Sequence, residues 1–112
     1  MKFTLVLLCL FPLLAFARGE ATNHTVEHVR VDKSGLAYVQ FTTDLVANNG
    51  SLPACGTSYP RTLAFDTNTE GGKAILSVVL SAKMSDSKIF ARGTNECGGY
   101  GVIENWSYGY IK

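Results

Sequence analysis

The sequence predicts an α+β, mostly β domain in which five strands are interrupted by one helix, placed between strands 3 and 4. Three observations lead there. Short runs rich in β-branched and aromatic residues recur along the chain, at 26–32, 36–43, 61–65, 88–92 and 102–111. One stretch, 69–84, changes to helical spacing. Clusters of Gly, Asn, Ser and Pro separate these segments. The helix falls where a five-stranded OB barrel carries its own, so a small OB-like barrel is one solution and an open sheet of the same strands is the other.

In chain order, Arg18 to Thr25 is polar and reads as a loose N-terminal arm. Val26 to Asp32 alternates as a first strand, Ser34-Gly35 turns, and Leu36 to Thr43 returns as the second, giving an antiparallel hairpin. Asn48-Asn49-Gly50-Ser51 and Pro53 mark a long irregular connection before Arg61 to Phe65, the third strand. Asp66 to Glu70 then offers several N-capping side chains ahead of Ile75, Leu76, Val79, Leu80 and Ala82. Gly71-Gly72 weakens that first helical turn by roughly 1 kcal/mol per glycine relative to alanine, but lets it lie close to another backbone. Lys83 suits the negative end of the helix. Lys88 to Arg92 is the fourth strand, Gly93 to Gly99 a loop, and Val102 to Ile111 a long fifth strand.

The leading segment sets the compartment. Met1-Lys2 is a short positive start, Phe3 to Phe16 is almost wholly apolar, and Ala15-Phe16-Ala17 is a small-x-small cleavage site. That order of regions is a secretory signal peptide over 1–17, leaving one secreted or periplasmic domain at 18–112. The apolar run is shorter than the roughly 20 residues a bilayer span needs, so no stable membrane insertion is expected. Ten basic residues less Lys2 leave nine against nine acidic ones, and no basic cluster stands out to bind nucleic acid. Cys9 departs with the leader. Cys55 and Cys97 remain, an even number in an oxidising compartment, and are predicted to form a disulfide. Closing that loop of about 42 residues is worth roughly 4 kcal/mol in the chain-entropy model. Metal and redox alternatives lack Cys-x-x-Cys spacing and nearby histidines.

Three features lie in one order: Pro53-x-Cys55, then Gly72-Lys73-Ala74-Ile75-Leu76 through Leu80-x-Ala82-Lys83, then Gly93-Thr94-x-x-Cys97 with Glu104-x-Trp106-x-Tyr108. Their order resembles a group of small secreted bacterial proteins. More distantly it is similar to the OB-fold B subunits of subtilase-type AB5 toxins, over roughly Pro53 to Tyr110. The resemblance implies a secreted, disulfide-linked, OB-like domain, and with it ring assembly and glycan recognition. Those B subunits are longer, and none of their sugar-binding residues transfers to a position of this chain.

The final strand holds the candidate ligand-binding residues. Alternation places Val102, Glu104, Trp106, Tyr108 and Tyr110 on one face. Trp106, Tyr108 and Tyr110 would stack on sugar rings there, or fill the core or a subunit interface. Gly109 would admit a close neighbour. Glu104 is expected to pair with a cation such as Arg92 or to sit exposed at an edge; buried and unpaired, its pKa would rise. His24 and His28 read as surface residues, since no third ligand completes a metal site and no nucleophile motif occurs. Sequons stand at Asn23, Asn49 and Asn105. The sequence therefore points to a non-catalytic binding module without cofactor or metal, directed at a glycan or an extracellular protein and capable of homo-oligomerisation. An inhibitor acting through the Val46 to Tyr59 segment is the second reading. A small hydrolase using His24 or His28 with Glu104 is the third.

Overall fold

A computed structural model describes residues 18–47 and 51–112; the leader and Asn49 lie outside these. Six strands form one antiparallel sheet: β1 (Gly19–Val31), β2 (Leu36–Phe41), β3 (Val46–Ala47), β4 (Thr62–Asp66), β5 (Lys88–Gly93) and β6 (Trp106–Ile111). One helix, α1 (Glu70–Ser85), lies between β4 and β5. The strand order is β4-β2-β1-β5-β6, with the two-residue β3 paired to the start of β1. The predicted string of elements thus stands, with β3 added from the irregular connection.

The first strand, of 13 residues, is nearly twice as long as read from the sequence. Arg18 to Thr25 is not a loose arm: from Gly19 onward it pairs with β5, through Glu20↔Arg92 and His24↔Ile89. Beyond Thr25 the same strand changes partner and pairs with β2, through Val26↔Phe41 to Val31↔Ala37. A strand shared in this way bends the sheet around one core. Register shifts between Ala21 and His24, and between Val26 and His28, supply the bend. The two free edges then meet at a single parallel bridge, Ala64↔Asn105, where the Ala64 N–H donates to the Glu104 carbonyl at 2.8 Å. The sheet is open, but rolled far enough to touch itself there, in the strand order of an OB-like barrel.

Val26, Val39, Phe41, Leu63, Val79 and Ile89 are fully or almost fully buried in this roll, with Trp106 against them. The helix closes one end. Thr69 caps it, its hydroxyl accepting from the Gly72 N–H at 2.9 Å, and Asp86 ends it in the left-handed conformation at φ 54°. Gly72 is required: a Cβ there would lie 1.7 Å from the Asp66 carbonyl oxygen, so the helix start rests directly on the end of β4. A disulfide joins Cys55 and Cys97 as predicted, tying the 3-10 turn Ala54–Gly56 to the loop before β6. The Tyr100 hydroxyl donates to Asp32, which fixes the same loop to the end of β1.

Candidate functional site

The last strand begins at Trp106, not Val102, and a bulge within it splits the predicted face. Arg92 pairs with Tyr108 and Gly93 with Trp106, so Ser107 is an extra residue in the ladder. The bulge turns Trp106 inward, 8% exposed, while Tyr108 and Tyr110 point outward, 47% and 52% exposed. The three aromatics predicted to share one surface are therefore divided between two.

On the outer surface Tyr110 stacks on Phe90, ring centroids 5.1 Å apart, and Tyr108 lies 5.9 Å from the same ring. Arg92 covers the other tyrosine, its guanidinium 5.4 Å from the Tyr108 centroid, and pairs with Glu20 at 2.8 Å. Ring faces turned toward one another leave less flat surface for a sugar to stack on than three separate aromatics would.

Trp106 belongs to a cleft of about 520 Å³. One wall is the first turn of α1 with Gly71, Gly72 and Ile75; the other is Gly98-Gly99, carried by the Cys97 loop. Leu36, Phe65, Asp66 and Asn105 complete it. The indole packs over Gly109, where a Cβ would come within 2.5 Å of the ring, so that glycine admits a ring from its own strand. Gly71, in contrast to Gly72, has nothing within 4 Å of its Cβ position and leaves the mouth open. Among the described residues neither the Trp106 indole N–H nor the Asn105 carboxamide has a hydrogen-bond partner in the protein. Asp66 is the one ionisable side chain among the described residues lining the cleft, and its Oδ1 already accepts from the Asn68 amide groups at 2.9 Å. The volume and the mixture of apolar walls with a few polar groups suit a small organic ligand.

Glu104 departs from both of its expected settings. Arg92 does not reach it, and it is buried, 2% exposed. Its carboxylate accepts from the Gly19 N–H at 3.0 and 3.3 Å and from the Asn95 N–H at 3.0 Å. Gly93 makes this possible, because a Cβ there would be 1.8 Å from Oε2. Asn95 reaches it from a left-handed backbone, φ 71°. Burial pushes the carboxyl above its ordinary range, against the pull of the two N–H groups and the Arg18 charge.

His24 is also buried, 6% exposed, contrary to its surface reading. Its Nδ1 accepts from the Thr22 and Asn23 N–H groups in the first bulge of β1, and Nε2 donates to the Asp44 carbonyl at 2.7 Å. The ring replaces ladder partners that the bulge removes. His28 is exposed as expected and meets Tyr38 edge-on. His24 and Glu104 share no hydrogen bond: the first is engaged with Asp44 and the β1 bulge, the second with Gly19 and Asn95. Among the described residues no group of His, Cys, Asp and Glu is disposed to hold a metal, and no helix is long and apolar enough to cross a membrane.

No family model matches the chain, nor does any curated protein or solved structure. None of these comparisons links the chain to the B subunits of AB5 toxins.

Proposed function

We propose that this protein is an exported, non-catalytic binding module that holds one sugar of a glycan in the cleft between α1 and the Cys97 loop. The observation that carries the reading is the junction of a nearly buried, unpartnered indole with an unpartnered carboxamide in an open, largely apolar cleft. A pyranose presents a C–H face to such walls, and its hydroxyls match the donors and acceptors of Asn105, Trp106 and Asp66. The single ionisable lining group favours holding a ligand over turning one over. Export agrees with the disulfide, because bonds of this kind persist in oxidising compartments.

The test uses the only tryptophan of the chain as its own reporter. Titration with a panel of oligosaccharides is expected to shift the Trp106 emission for at least one of them. Asn105→Ala, which keeps the indole, is expected to weaken that ligand at least about tenfold, as the loss of a hydrogen bond to a buried group does. Unchanged emission across the panel, or full affinity in Asn105→Ala, contradicts the reading. A second reading, self-association or protein binding, has its own observation: Tyr108, Tyr110 and Ile111 are exposed on β6, the last strand of the sheet order. Light scattering on Tyr110→Lys separates the two, since only a β6 interface is lost in that variant.

A further inference from the structure

The Glu104 carboxyl group is held in the interior by the backbone N–H of Gly19, the second residue past the expected cleavage site. We infer that Glu104 is the receiving site for the α-ammonium group that removal of residues 1–17 leaves on Arg18, so that processing of the leader locks the fold. The inference rests on the export reading above and goes beyond it.

The geometry is short-range. The Gly19 nitrogen lies 3.0 Å from Oε1 and 3.3 Å from Oε2. Consecutive backbone nitrogens are at most about 3.7 Å apart, so the Arg18 nitrogen is tethered within a few ångströms of the same carboxylate. While the leader is attached that nitrogen is a neutral amide. Cleavage turns it into a primary ammonium with three donors and frees its rotation. Two neighbouring nitrogens, those of Arg18 and Gly19, then converge on one buried carboxylate. The surroundings favour this partner. Gly19 and Gly93 close around the carboxylate without side chains, and Leu45 and Leu52 pack beside Gly19. Among the described residues the Arg18 guanidinium is the one charge acting on the group, and Arg92 on β5 is engaged with Glu20. A buried carboxylate gains more from an added cation than an exposed one, because water screens the pair less.

The full chain is secreted with its own leader, in parallel with a form carrying Gly-Ser inserted between Ala17 and Arg18. Intact mass fixes the first residue of each. The form beginning at Arg18 is expected to have an unfolding constant roughly ten- to a hundredfold smaller at pH 6 than the extended form, as loss of a buried partner implies. The advantage belongs to a group whose folded pKa is raised. It is therefore present below the ordinary α-amino pKa, about 7.7, for as long as Glu104 stays ionised, and is lost as pH rises through the folded value. Glu104→Gln is expected to abolish the difference between the two forms. Where that variant does not fold, amine acylation at pH 7 replaces it: the Arg18 amine is expected to react at least about tenfold more slowly than the free amine of the extended form, as its protonated fraction rises. A mass that retains residues 1–17 overturns the inference together with the export reading. A first residue at Arg18 with equal stabilities, or with equal acylation rates, overturns the lock alone and leaves export standing.

Discussion

Two pockets in this small domain are walled by glycine, and they use it in opposite ways. Around Glu104, Gly19 and Gly93 bring backbone so close that no Cβ fits, and the protein fills the space with its own carboxylate. Around Trp106, Gly98 and Gly99 have their nearest foreign atoms at 3.4 Å and Gly71 has none within 4 Å, so the space is left open. Missing side chains therefore serve closure in one place and access in the other. The closed pocket ties the start of β1 to the loop between β5 and β6, which makes it a matter of stability. The open one joins elements already held by the disulfide and the Thr69 cap, so the fold does not need it filled.

The comparison breaks most sharply at Gly93. A methyl group 1.8 Å from Oε2 forces Glu104 out of its cradle or separates β5 from β6. Overpacking of this kind, together with displacement of a buried hydrogen-bonded charge, is expected to cost Gly93→Ala at least about 3 kcal/mol in urea unfolding. A loss within about 0.5 kcal/mol, the usual range for surface changes, would show that the cradle is not closed.

A smaller effect distinguishes the pockets by pH. Burial raises the Glu104 carboxyl, so the folded chain holds that proton more tightly than the unfolded one. Its stabilising contribution is then complete below about pH 4.3, the ordinary glutamate value, and is lost as pH rises through the folded value. Asp32 acts in the other direction. The Tyr100 hydroxyl, and then Arg30, lowers its carboxyl, so its contribution is present above about pH 3.9 and lost as pH falls below that. Urea midpoints of the form extended at Arg18 are expected to fall between pH 4 and 7, and to stay level over that window in Glu104→Gln. An equal slope in both would assign the pH dependence to another group.

The open cleft was less legible in the sequence than the elements that build it. The helix could be read because its signals are local: the Thr69 cap, the 3.6-residue spacing and the glycines of its first turn. The disulfide followed from counting the cysteines left once a leader is expected to be removed. The first half of β1 could not be read, because its inward residues are Gly19, Ala21 and His24, which carry little hydrophobic signal. Their burial comes from β5, some 70 residues away in sequence. The last strand misled for a related reason. Val102 to Ile111 alternates without a break, and only pairing with β5 inserts the bulge at Ser107 that sends Trp106 inward and the tyrosines outward. Glu104 looked like a surface or ion-paired carboxylate because its partners are backbone N–H groups, which a sequence does not display.

The smallest change proposed here sharpens the comparison most. Gly71→Ala adds a methyl group where nothing lies within 4 Å, so no strain opposes it. Replacing glycine by alanine within a helix is worth up to about 1 kcal/mol, less in the first turn, so Gly71→Ala is expected to stabilise the protein slightly. Gly71 also lines the cleft, and a larger side chain at the same place narrows the mouth without touching Trp106 or Asn105. Gly71→Leu should therefore keep the wild-type urea midpoint within the usual surface range while weakening any ligand that shifts Trp106 emission. A stable Gly71→Leu protein with undiminished binding would move the ligand off the cleft and leave the outer tyrosines as the surface to examine.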